Sequence, residues 1–80
     1  MKQALVFEAS RMGYGINQIQ NAVTVGQLRE LLEGLDDDVM VILSHDNGYT
    51  YGTLSKNASI REEREGEYGI EYEEVDEAWL

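Results

Sequence analysis

Residues Thr24–Leu54, TVGQLRELLEGLDDDVMVILSHDNGYTYGTL, decide the fold. Thr24 and Gln27 form a T-x-x-Q capping box, in which each side chain satisfies the other residue's backbone N–H at a helix start. Val25, Leu28, Leu31, Leu32 and Leu35 recur at helical spacing, while Arg29, Glu30 and Glu33 fall on the opposite side. Gly34 reads as the residue that ends the helix in a left-handed conformation. Asp36, Asp37 and Asp38 then oppose the helix dipole and add a reason to stop. A helix from Thr24 to about Glu33 is the expectation.

Val39-Met40-Val41-Ile42-Leu43 has no polar residue on either alternating face, as expected of a strand covered on both sides. Ser44 to Gly48 carries turn chemistry, with Asn47-Gly48 suited to positive φ. Tyr49 to Leu54 then reads as a strand antiparallel to the first.

Upstream, QALVFEA at residues 3–9 is a short apolar run that fits an opening strand. Residues 10–23 bring Gly13 and Gly15 around Tyr14, then Ile16, Ile19, Ala22 and Val23 at spacings of three and four among amides; a short helical turn or an irregular strand would fit, and the segment reads as a loop packed by Ile16 and Ile19. Downstream, residues 59–77 hold nine of the sixteen acids, met only by Arg61 and Arg64. Ile70-Glu71-Tyr72-Glu73 alternates with strand period, and Glu65 to Gly69 suits a hairpin turn. A helix over Glu71 to Trp79 is the alternative. The fold class expected is α+β, one main helix packed on a small, mostly antiparallel sheet. Strands are expected near 3–9, 39–44, 49–54, and 59–65 with 70–75.

Eighty residues without proline or a Gly/Ser-rich run fit one domain over 1–80 with an acidic segment at 59–77. Hydrophobic residues make up 42%, enough for one small core and too many for a disordered chain. The absence of cysteine excludes disulfide and thiolate chemistry and fits a cytoplasmic location. The apolar run after Met1-Lys2 is too short for a signal peptide or a membrane span. A net charge of −10 repels nucleic acid and anionic membrane, so the expected partner is a basic protein surface. The plainer reading is that charge keeps a small protein in solution.

TVGQLRELLEGLDDDVMVIL followed by SHDNGYTYG is similar to a pattern in small acidic proteins of phages and mobile elements of Gram-positive bacteria. Those proteins join a TV-x-x-L helix, an acidic loop, an apolar strand and a D-N-G-Y-T-Y-G turn. The resemblance covers roughly residues 1–54 and implies the fold and a mobile-element context. It brings no catalytic residues with it.

Chemistry-bearing motifs are sparse. His45 is the one histidine, and beside Asp46 it makes half a triad with no placed nucleophile. Three consecutive aspartates do not converge on one cation, and no phosphate loop, dinucleotide fingerprint or metalloprotease helix occurs. The expectation is therefore no enzyme, no cofactor and no metal. The partner-binding residues expected are Glu62, Glu63, Glu65, Glu67, Glu71, Glu73 and Glu74, with Tyr68, Tyr72 and Trp79 as aromatic anchors. Same-face carboxylates on a strand recur every ~6.8 Å, against one phosphate per ~3.4 Å along each DNA strand. Such a surface fits the groove of a nucleic-acid-binding defence protein, and in size and charge it resembles anti-CRISPR inhibitors. The runner-up is a structural or assembly module of a mobile element, with which a homo-oligomer is compatible.

Overall fold

The computed structural model describes residues 2–80 and is α+β, with 44% strand and 14% helix. Its elements run β1 (Ala4–Glu8), a single 3-10 turn (Ile16–Gln18), α1 (Val25–Leu32), β2 (Met40–His45), β3 (Thr50–Gly52), β4 (Asn57–Gly66) and β5 (Gly69–Trp79). The expected single sheet is instead two, one of order β1-β2-β3 and one formed by β4 and β5 alone. Backbone contacts group the chain into two compact units. One holds the segment up to Arg11 with Asn21–Leu54, and the other holds Met12–Gln20 with Ser55–Leu80.

In the first unit, β1 pairs parallel with β2 from Ala4 opposite Met40 to Glu8 opposite Ser44. A parallel pair needs a crossover of a dozen residues or more, and the segment carrying α1 supplies it. β3 returns antiparallel, with Leu43, Ser44 and His45 opposite Gly52, Tyr51 and Thr50. The return is made by Asp46, Asn47 and Gly48, whose φ values are 52°, 55° and 88°. Tyr49 N–H closes the turn on the His45 carbonyl at 3.0 Å. Two short-chain residues and a glycine tolerate this left-handed backbone, and a bulkier run would not.

The helix start follows the capping logic. Gln27 N–H donates to Thr24 Oγ1 at 3.2 Å, and Thr24 N–H donates to Gln27 Oε1 at 3.0 Å. Gly34 takes φ 88°, as a residue just past a helix end does. The expected packing of α1 on the sheet is only partly met. Leu28 and Leu32 line an apolar cavity of about 310 Å³ with Phe7, Val41 and Leu43 of the sheet. Val25 stays 70% exposed and Leu31 50% exposed. β2 likewise lacks the two covered faces its sequence implies: Met40 is exposed, Val41 to Leu43 are half-buried, and Ser44 alone is buried. The reason is size, since eight helical residues are too few to cover a three-stranded sheet, and among the described residues of this unit there is no other helix or sheet to form a second layer.

Truncation costs should therefore be small for this fold. A fully buried Leu→Ala costs ~2–5 kcal/mol through lost transfer energy and the cavity left behind. Half-buried Leu43→Ala should cost about 1–2 kcal/mol, and Leu31→Ala less, because little of its area leaves water on folding. Urea titration of the two variants checks the order.

A polar latch ties β1 to the β2–β3 turn. Asn47 N–H donates to Glu8 Oε1 at 2.8 Å, and Ala9 N–H donates to the Ser44 carbonyl at 2.9 Å. The Ser44 hydroxyl, then the Asn47 N–H, hold the Glu8 carboxyl below its usual range against the cost of desolvation, with a lesser contribution from the nearby His45. A carboxylate with a lowered folded pKa stabilises above its unfolded pKa, and loses that contribution as pH falls through the folded value. Glu8→Gln should accordingly lower the melting temperature at pH 7, and the gap to the parent should shrink below about pH 4. Thermal melts across pH 3–7 read it, and a gap that widens in acid would remove Glu8 from this role.

Candidate protein-binding surface

The acidic segment folds into the second unit's hairpin. β4 and β5 pair antiparallel along their length, from Asn57 opposite Trp79 to Gly66 opposite Gly69. Glu67 and Tyr68 form the turn between the two glycines, and Gly69 takes φ 127°. The alternative of a helix over Glu71 to Trp79 is thereby replaced by strand. Its alternation of Ile70, Tyr72 and the glutamates matches a pleat, and its glutamates would repel one another on a helix face. Leu80 N–H donates to the Lys56 carbonyl at 2.6 Å and closes the open end.

Directly opposed residues of an antiparallel pair share a face, so the register sorts the carboxylates. Glu62, Glu71 and Glu73 lie on one face together with Arg64. Glu63, Glu65 and Glu74 lie on the other with Tyr72 and Ile70. The register slips between Ile60 and Arg61, where Val75 is the extra residue in β5. This bulge inverts the alternation beyond it. Trp79 and Glu77 consequently join the face of Tyr72, and Asp76 joins that of Glu73. The ten expected binding residues are thus split between two faces and the turn, where Glu67 and Tyr68 sit, and all ten are exposed.

Asp76 and Glu77 complete the two rows and were absent from the expected set. Their membership depends on the bulge, for which the sequence offers no turn residue or glycine as a signal.

Opposition of Glu62 to Glu73 places like charges across the ladder, which is unfavourable. Arg64 Nη1 offsets this by donating to Glu73 Oε2 at 2.6 Å, with both side chains more than half exposed. Arg61 instead donates through Nε to Ser59 Oγ at 3.1 Å. With two arginines against nine acids, repulsion outweighs attraction. The melting temperature should rise from low to moderate salt as screening sets in, and a fall would show that ion pairs dominate.

Of the loop at residues 10–23, Met12–Gln20 belong to this unit. Gln18 Oε1 accepts from Tyr14 N–H at 2.6 Å and from Gly15 N–H at 3.1 Å, which fixes the 3-10 turn. Ile16 with Tyr14 lines a cavity of about 290 Å³ against Ile70, Tyr72 and Arg61. Ile16 and Ile19 remain 43% and 37% exposed, so the packing expected of them is partial.

Among the described residues, no three His, Asp or Glu side chains are grouped to hold a metal ion. His45 ends β2, opposite Thr50. Among the described residues, no helix is long and apolar enough to cross a membrane. Compared with known protein families, characterised proteins and solved structures, the chain matches none of them.

Proposed function

We propose that this chain is a non-enzymatic protein-binding module that presents a nucleic-acid-like charge pattern and blocks a basic, nucleic-acid-binding host protein. In this reading it works in the cytoplasm as a phage or mobile-element inhibitor of host defence, of the anti-CRISPR kind, and binds neither nucleic acid nor membrane directly. The observation that carries it is β5, an eleven-residue exposed strand with Glu71, Glu73, Glu74, Asp76 and Glu77 and no basic residue. Same-face carboxylates of β5 stand ~6.8 Å apart, about half the phosphate line density of one DNA strand, and Glu62 opposite Glu73 adds charge to one of the rows. The exposed Tyr68, Tyr72 and Trp79 supply anchors of the type that dominates protein interfaces. Electrostatic steering would make association fast and sensitive to salt. In this reading α1 also closes on the three-stranded sheet as a packed layer.

Capture of partners from a host lysate on the immobilised chain, eluted with a salt gradient, tests the proposal. It predicts nucleic-acid-binding proteins in the eluate, and their absence in favour of neutral or acidic proteins contradicts it.

A second reading is favoured by one observation: among the described residues, no hydrophobic side chain is buried. A structural or assembly module would cover its apolar residues in a homo-oligomer, with acidity serving solubility alone. Sedimentation of the purified chain separates the two readings. A stable oligomer that captures no basic partner supports the second.

A further inference from the structure

The second sheet has only two strands, so each ends the sheet with unpaired backbone N–H and C=O groups along its outer edge. A two-stranded ribbon is marginal in water, and a third strand would satisfy a row of these groups. The two edges differ in charge. β4 sets Arg61 and Arg64 among three glutamates, whereas β5 carries five acids and no base. A second copy of the chain is a poor third strand, because like charges directly opposite one another destabilise a pair. A strand of alternating basic residues sets them all on one face, where they meet Glu71, Glu73 and Asp76 or, shifted by one residue, Glu74 and Glu77. Opposite charges across a pair stabilise it. The same acids that keep the edge from self-association therefore select a basic strand.

We propose that the outer edge of β5 accepts an extended Lys/Arg-rich segment of the partner by strand addition, with main-chain hydrogen bonds giving affinity and the two rows of carboxylates giving selectivity. The inference rests on the reading of the chain as a binder of a basic protein. It adds the binding mode, which charge attraction alone does not require. The 3-10 turn lies against residues 70–72 and the bulge at Val75 interrupts the ladder, so the added strand pairs beyond them, over 73–74 and again over 76–79.

The test uses the full chain with a ten-residue peptide of alternating lysine and valine, and with its fully N-methylated counterpart. The counterpart keeps every charge and loses every backbone donor. At low salt the plain peptide should bind, slow amide exchange at alternate residues of β5, and lose at least tenfold in affinity on N-methylation. Equal binding of the two peptides without protection of β5 overturns strand addition while leaving the basic-partner reading intact. Protection confined to β4 overturns the assignment to the β5 edge. Failure of both peptides to bind contradicts strand addition and the basic-partner reading together.

Discussion

Glu71→Lys with Glu73→Lys should slow association with a basic partner by about tenfold or more at low salt, with most of the difference lost at high salt. The two carboxylates share one face of β5 with Glu62 opposite Glu73, so the reversal places positive charge in the middle of an acidic row. Glu30→Lys with Glu33→Lys is the control, since both glutamates are exposed around α1 and the net charge changes equally. The hairpin should survive the first reversal. The Arg64–Glu73 pair that it removes is well exposed, and exposed pairs add little to stability. Stopped-flow association measured at several salt concentrations reads the outcome. Equal slowing by the two pairs would show that only total charge matters, and no slowing by either would remove the acidic hairpin from binding.

Gly69→Ala should destabilise the hairpin by roughly 1–3 kcal/mol, because a backbone φ of 127° is strained for any residue with a Cβ. For a domain of this size such a loss lowers the melting temperature by about 4–8 °C per kcal/mol. Gly66→Ala, its partner across the turn, is the contrast. The atoms nearest a Cβ there belong to the side chain of Glu71, from Cγ to the carboxyl, which a change of rotamer moves away with no strain on the backbone. Calorimetry on the pair should show a large shift for Gly69 and a small one for Gly66. The reverse order would mean that the turn adopts another backbone in solution.

Local chemistry made much of the first unit legible. Thr24 and Gln27 cap α1 as their spacing requires, Gly34 ends it, and Asn47-Gly48 turns β2 into β3. Each of these signals acts within a few residues, so a linear reading captures it. The hairpin was legible for the same reason, through the alternation of Ile70 to Glu73 and the glycines at 66 and 69. Partner choice among strands was not legible. Nothing in VMVIL distinguishes a strand covered on two faces from one at the centre of a thin, mostly uncovered sheet, because both need the same apolar residues. The parallel pairing of β1 with β2 follows only from the crossover that joins them.

The candidate surface was half legible. Composition located the carboxylates, but which of them share a face depends on one extra residue at Val75, and a bulge of this kind has no local signature in EEVDEA. Without it, odd-numbered Trp79 would stand with Glu71 and Glu73. With it, Trp79 stands with Tyr72, Glu74 and Glu77. A shift of one residue moves every later side chain to the other face, which is why strand faces are less secure than strand positions.

The central claim is that the acidic hairpin occupies a surface its partner otherwise uses for nucleic acid. The most direct measurement titrates the chain into a captured partner already bound to labelled DNA or RNA and follows release of the label by fluorescence anisotropy. The account predicts full displacement, with an apparent affinity for the chain that weakens in proportion to added nucleic acid. A complex in which partner, nucleic acid and chain remain bound together would contradict it.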